Sequence, residues 1–495
     1  MLYQLSYLAE RDGVYPASHP RLDTVGAMEL AFLPATELAR KVRTREIGSA
    51  ELVQLCLDRI EQIDPELDAF VTVCGEEALA AARGADERAP EAPFHGVPIA
   101  IKDLTATAGI RTTYSCRAFA ENVPDFDTAV VRRIRDAGFV IVGKTNTPEF
   151  GTVAFTESEL NGATRNPWNT ALTPGGSSGG AAAALAAGLV PLAHGSDGGG
   201  SIRIPASCCG VFGLKPSRGR VSSAPFSSLE GLSTAGPLTR SVADAAALLD
   251  VLEGYEPGDP WWAPPPVRPF AHEVGEGEDP GRLRIALTTE PPIEATVHPD
   301  CAAAARLAAA LLVDLGHHVE DAAPPWVVPG LIDDFITVWQ VGPTLYPVDE
   351  DLLTPLNRSL AARARTTSAA DYGLAVVRLQ AAARRIVAFW SSYDAVLTPT
   401  LALPPVPIGW QEEGVGSGLD QLLRNTLFTP FTAVANLTGQ PAMSLPLHRS
   451  DDGVPVGVQV IGPPGGEPLL LKLAAQLERA RPWGDDRPPI VSAAR

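Results

Sequence analysis

Residues 175–222 read GGSSGGAAAALAAGLVPLAHGSDGGGSIRIPASCCGVFGLKPSRGRVS. Two glycine-rich segments, TPGGSSGG from Thr173 and HGSDGGGSIRIPAS from His194, flank an alanine-rich helix. Glycine is needed where the backbone takes positive φ or passes close to a ligand. Two such loops so near each other suggest a built site rather than a linker. Working outward, residues 97–101 (VPIAI) read as a short buried strand running into Lys102 and Asp103. A helix starting at Asp127 or Thr128 carries Val130, Val131 and Ile134 and ends at Gly138, and residues 139–142 are the next strand. Strand, helix, strand is the mark of an α/β sheet.

The pattern continues on both sides. Upstream, Ser49 is the expected N-cap of a helix carrying Leu52, Cys56, Ile60 and Ile63. Downstream, residues 241–254 form a capped helix with Asp244 at the capping-box position. A strand at 283–287, a helix at 299–315 and a strand at 318–320 repeat the α/β unit. Strands at 393–399 and 454–461 and a helix at 469–480 close the chain. The proline-rich EPGDPWWAPPPVRPF marks a boundary at 256–270. The expected architecture is one α/β domain over 28–495, a mixed sheet flanked by helices. Residues 1–27, without clear periodicity, are an N-terminal extension. A variable region at about 260–425, inserted or loosely attached, shapes the pocket, with Phe335, Trp339 and Tyr346 as candidate pocket residues.

Bulk properties narrow the function. The 495 residues are 45% hydrophobic and 20% charged, ordinary globular usage, with a net charge of −19. That charge argues against nucleic acid or an anionic membrane surface as the main partner. It does not exclude a homodimer. Six cysteines without a CxxC pair fit a reducing, cytoplasmic compartment. The eight histidines show no metal-binding spacing, and the expected cofactors and metals are none. The N-terminus lacks a signal-peptide pattern, and the most apolar window, 179–195, is too short to span a bilayer.

Acyl transfer needs a nucleophile, a group to take its proton, donors for the oxyanion and an acid for the leaving amine. Ser201 follows three glycines, and the amides of Gly198, Gly199, Gly200 and Ser201 could surround an oxyanion. The plain alternative is a tight turn with a solvent-facing serine. Ser177 or Ser178 equally suits an N-cap of the alanine-rich helix. Lys102 could be a snorkelling surface lysine, or a base if burial lowers its pKa. Gly175–Gly179 matches GxSxG, but the preceding NPWNTALTP is no strand, as a nucleophile elbow requires. GFVIVGKT at 138–145 matches the Walker A expression, yet its middle residues read as a strand. His194, Asp197 and Ser201 have the residue types of a Ser-His-Asp triad but lie too close along one loop. His194 is expected to be structural, packed under the loop, and Asp197 to brace the glycines.

The order GGSSGG, GSDxGGS, IRIPAS, GLKP closely resembles the signature of the amidase signature family. The resemblance extends to GVPIAIKDL, GKTNTPEFG and GATRNPWN upstream, and to DAVLTPT, NLTGQPAMSLPL and GVPVGVQVIG downstream. It implies the family's fold, a mixed β-sheet core with helices on both faces, and a Ser-Ser-Lys triad. Lys102 stands in the KD motif, Ser177 is the bridging serine, and Ser201 is the nucleophile. It also implies a cis peptide bond at Gly176–Ser177. Ser178, Asp197 and Arg203 fall in supporting positions. Gly198 departs from a position often held by Thr or Ile in the family, which would loosen the loop or widen the oxyanion side.

The wording is most similar to the bacterial branch of 6-aminohexanoate cyclic-dimer hydrolases and aryl acylamidases. That implies a small-molecule substrate with a non-peptide amide bond, with carbamate (urethane) bonds open to the same acyl-enzyme chemistry. Three rival readings remain at this point. One is the amidase subunit of a tRNA-dependent amidotransferase, which needs partner chains. Another is an α/β-hydrolase esterase using Ser177. The last is a non-catalytic scaffold.

Overall fold

The computed structural model describes residues 24–275, 278–416 and 418–493. Most of the proposed extension, residues 1–23, lies outside them. Residues 24–32 belong to a helix, Thr24–Phe32. Its Phe32 ring lies beneath the guanidinium groups of Arg59, Arg240 and Arg487.

Thirteen strands occur among the described residues. They are β1 (Phe70–Val73), β2 (Pro98–Lys102), β3 (Val140–Thr145), β4 (Glu157–Ser158), β5 (Gly162–Ala163), β6 (Leu192–Asp197) and β7 (Phe212–Lys215). Then come β8 (Thr234–Thr239), β9 (Arg284–Leu287), β10 (His318–Asp321), β11 (Ala395–Pro399), β12 (Ala442–Arg449) and β13 (Pro455–Ile461). Eleven form one sheet in the order β1-β3-β2-β6-β8-β7-β12-β13-β11-β9-β10. The sheet is mixed: β3, β2 and β6 run parallel, as do β11, β9 and β10, while β8, β7, β12 and β13 pair antiparallel. The short β4 and β5 pair by themselves.

Both faces of the sheet are buried, which explains why its central strands read as continuous apolar runs. In β2, Ile99 and Ile101 join one core with helices Ala129–Asp136, Val242–Leu252, Pro299–Asp314 and Glu467–Ala480. Ala100, between them, joins the other core with Ser49–Ile63, Gly75–Asp86, Gly179–Ala186 and Arg203–Cys209. This is the two-residue period of a strand expressed as two cores.

Several local expectations change. The cap of Ser49–Ile63 is not the Ser49 hydroxyl, which donates to the Gly96 carbonyl. The Asp86 carboxylate, from the next helix, accepts from the amides of Ser49 and Ala50 instead. Ser241 does cap Val242–Leu252, accepting from the Asp244 amide, while the Asp244 carboxylate caps helix Ala35–Arg43 through the amides of Ala35 and Thr36. The region 260–425 contributes β9, β10 and β11 to the main sheet, so its strands are integral to the domain. Its helices Leu331–Trp339 and Gly418–Phe428 reach over the site.

Candidate active site

Lys102 is the last residue of β2, and Asp197 the last of the adjacent parallel strand β6. Open sheets commonly bind ligands outside the carboxyl ends of parallel strands. His194-Gly-Ser-Asp197 was expected to be loop and is strand, because β2 and β8 pair with it on both sides. The loop proper is Gly198–Ile202. Helix Arg203–Cys209 follows, a turn of structure hidden in the sequence by Pro205 and the flanking glycines.

Lys102 is fully buried. Its Nζ donates to Ser177 Oγ at 2.8 Å, to Ser196 Oγ at 3.1 Å and to the Ser196 carbonyl at 3.3 Å. Burial pulls its pKa down to about 7, with the Asp197 carboxylate opposing the shift. The amine is therefore largely neutral above pH 7.

Ser177 is 2% exposed and follows a cis Gly176–Ser177 peptide bond. No strand among the described residues leads into it, unlike a nucleophile elbow. Ser178 holds the N-cap position of Gly179–Ala186 without a side-chain cap bond. Its amide donates to the Ser201 carbonyl at 3.2 Å, and its hydroxyl donates to the Ser196 carbonyl. Those bonds tie the two glycine loops together.

Asp197 and Arg203 form a buried frame beneath Ser201. Asp197 Oδ1 accepts from the Gly200 amide at 2.8 Å, and Oδ2 accepts from the Ile202 amide at 3.2 Å. Arg203 donates to both carboxylate oxygens at 2.9 Å. Burial alone would raise the Asp197 pKa, but the Arg203 guanidinium outweighs it and brings it down to about 2. Arg203 also donates to the Thr432 carbonyl, Gln459 Oε1 and Asn436 Oδ1. A buried ion pair this completely hydrogen-bonded meets the condition for tolerating its desolvation.

The four amides named for the oxyanion are not equivalent. Gly200 already donates to Asp197, so its N–H is committed. The amides of Gly198, Gly199 and Ser201 have no protein acceptor among the described residues. Gly200 must be glycine: its φ is +133°, and an added β-carbon would stand 2.4 Å from Thr432 Oγ1. That hydroxyl donates to the Gly199 carbonyl at 2.6 Å and fixes the loop from a distant helix.

His194 is fully buried, and neither ring nitrogen has a partner among the described residues. Burial, followed by the Lys102 and Lys144 charges, lowers its pKa to about 3, so the ring is neutral. Lys144, within the Walker-like stretch, lies in β3 and is fully buried, away from any phosphate-binding turn.

Ser201 is 7% exposed and opens on a cavity. Val153, Ile293, Leu331, Ile336, Leu422 and Val434 are among its apolar walls, and no charged residue lines it among the described residues. Of the three aromatics named from the sequence, Phe335 and Trp339 line the cavity and stack with ring centroids 5.7 Å apart. Tyr346 does not line it; it stacks on Phe150 at 4.1 Å. No sequence motif assigns a role to Ser196, Thr432, Asn436 or Gln459. The last three lie in or beside segments NLTGQPAM and GVPVGVQVIG, whose wording was the only available signal.

Residues 51–471 match the Amidase family. The chain belongs to the amidase signature family. It is similar to the 6-aminohexanoate-cyclic-dimer hydrolase of Paenarthrobacter ureafaciens, 40% identical over 488 residues that cover 93% of this chain and 97% of that protein. The solved structure of 6-aminohexanoate cyclic dimer hydrolase complexed with substrate superposes with a TM-score of 0.86 at 38% identity, covering 93% of this chain and 99% of that one. A bacterial aryl acylamidase of the amidase signature family gives a TM-score of 0.82 at 27% identity, covering 94% and 99%. This amidase is accordingly an amide-bond hydrolase built on a large mixed sheet. No helix among its described residues is long and apolar enough to cross a membrane.

Proposed function

We propose that Ser201 is the nucleophile of this amidase, Ser177 its proton relay and Lys102 the base, acting on small, uncharged, non-peptide amides. The observation that carries the reading is the 2.8 Å contact between a fully buried Lys102 and Ser177, whose neighbour Ser178 donates its amide to the carbonyl of Ser201 on the wall of an apolar cavity. A desolvated lysine supplies a base near neutral pH without histidine. Ser201 Oγ attacks the carbonyl carbon while its proton passes to Ser177, whose own proton passes to Lys102. The amides of Gly198, Gly199 and Ser201 receive the oxyanion. The tetrahedral intermediate collapses, the C–N bond breaks, and the amine leaves with a proton from Ser177, which Lys102 replaces. Water then hydrolyses the Ser201 ester by the reverse proton path.

The similarity to proteins named for 6-aminohexanoate cyclic dimer and aryl acylamide chemistry supports anilides and aliphatic lactam-like amides as substrates. Carbamates are a natural extension, since they would form a carbamoyl-serine by the same attack. Six free, buried cysteines support a reducing, cytoplasmic setting.

The test joins labelling to turnover. A fluorophosphonate should modify Ser201, as mapped by mass spectrometry, and the chain should hydrolyse p-nitroacetanilide. Lys102→Ala should lose both by about 10³-fold or more, the scale of losing a general base and its relay. Label on Ser177 with an active Lys102→Ala variant would overturn the assignment.

A further inference from the structure

Resting on that reading, we propose that Trp339, packed against Gly198, sets the size of the acyl group this amidase accepts, in a cavity whose neutral lining selects against a charged one. The cavity admits an uncharged, apolar acyl chain. Its side of the scissile bond follows from the proton path. Ser201 lines the cavity, whereas Ser177, which must face the leaving nitrogen, does not. On this reading the group seated in the cavity is the acyl part, which stays bound to Ser201 after the amine departs.

The lining has little to offer a polar acyl chain. Besides Ser201, its polar side chains are Thr152, Asn425, Thr426 and Thr429. Each already donates within the protein: Thr152 to the Glu149 carbonyl, Asn425 to Gln421, Thr426 to Leu423 and Thr429 to Asn425. Asn425 Oδ1 also accepts from the Ala154 amide. A terminal carboxylate or ammonium would meet no opposite charge among these residues, only neutral hydroxyls and one amide, which is unfavourable for a desolvated ion.

Trp339 is a wall of the cavity that abuts the reacting serine's loop at Gly198. Its Nε1–H donates to the Thr152 carbonyl at 3.1 Å, and Phe335 stacks on it one helical turn away, so the ring is held from two sides. A β-carbon built on Gly198 would stand 3.0 Å from Cη2 and 3.2 Å from Cζ3 of that indole, with Ser233 next at 3.6 Å. The indole thus occupies the space that any larger residue at position 198 would claim. Glycine at 198 and tryptophan at 339 form a matched pair, and displacing either moves the wall.

The test uses p-nitroanilides of acetic, butyric, hexanoic and benzoic acids. It adds the mono-p-nitroanilide of adipic acid and the methyl ester of that compound. The wild-type chain should prefer the methyl ester to the free carboxylate by about 100-fold or more in kcat/KM. Trp339→Ala should raise the benzoyl-to-acetyl ratio about tenfold or more, the scale on which a pocket discriminates by a few carbons. Gly198→Ala should lower turnover of the bulky acyl groups most when Trp339 is present, and lose that selectivity in the Gly198→Ala/Trp339→Ala double variant. Thermal melts identify any variant that fails to fold, and Trp339→Phe then supplies the same comparison with the ring kept. Equal hydrolysis of carboxylate and methyl ester would overturn the charge argument. A Gly198→Ala effect that is the same in both backgrounds would overturn the Trp339 assignment while leaving Ser201 chemistry intact. No amide turnover and no label on Ser201 in the wild-type chain would instead remove the underlying reading, and this inference with it.

Discussion

At the scale of single residues, the site depends on one buried amine. Burial lowers the Lys102 pKa to about 7, and in the proposed triad only the neutral amine can accept a proton relayed from Ser201. The sign is therefore set. Below pH 7 the neutral fraction falls tenfold per pH unit, and above it the fraction saturates. The kcat/KM for a neutral anilide, whose own charge does not change, should rise along an acid limb with an apparent pKa near 7 and then level off. A profile flat from pH 5.5 to 8.5 would mean that Lys102 is not the base. His194 cannot supply the same limb, since burial and the nearby lysines hold its pKa at about 3 and its nitrogens meet no protein partner among the described residues.

At the scale of elements, the glycine loop between β6 and helix Arg203–Cys209 is held by geometry rather than by apolar packing. Gly200 has φ of +133° and no room for a β-carbon beside Thr432. Gly200→Ala should therefore destabilise the fold by about 1–3 kcal/mol in urea unfolding, the usual cost of forced overpacking or a strained backbone. It should also slow fluorophosphonate labelling of Ser201 by displacing the serine. Unchanged labelling and stability would show that the loop tolerates another path. This element also marks the limit of what the sequence discloses. Periodicity was enough to place β2, β3 and the helices over 299–314 and 467–480 to within a few residues, because both cores demand regular apolar spacing. The residues of His194-Gly-Ser-Asp197 favour turns, and only pairing with β2 and β8 makes them a strand. Helix Arg203–Cys209 is too short and too flanked by glycine to announce itself. The resemblance named Lys102, Ser177 and Ser201, and side-chain chemistry suggested that Asp197 braces the glycines. The braces from Thr432, Asn436 and Gln459 arrive from more than two hundred residues away. No local pattern carries that information.

At the scale of the whole molecule, the double-faced sheet that builds the site also burdens it with fully buried lysines: Lys102 on β2, Lys144 on β3 and Lys215 on β7. Lys215 donates to the Pro216 carbonyl, and burial, reinforced by the Arg203 charge, lowers its pKa to about 7. Such a group is charged in both states below pH 7, where its burial costs most. Between pH 7 and the ordinary lysine pKa of about 10.5 the unfolded chain binds more protons than the folded one, so stability rises with pH. A methionine at the same position carries no such cost at any pH. Lys215→Met should therefore stabilise the protein at pH 6–7, and its advantage over the wild type should shrink by up to about 1.4 kcal/mol per pH unit from pH 7 towards 10.5. Urea unfolding at pH 6, 8 and 10 reads that slope, and an advantage constant across the range would show that Lys215 titrates normally. Lys102→Met obeys the same linkage, because its pKa is lowered by the same cause. The two variants should gain stability with the same pH dependence, yet only Lys102→Met should abolish anilide turnover. That divergence would separate the lysine kept for chemistry from the one the fold merely accommodates.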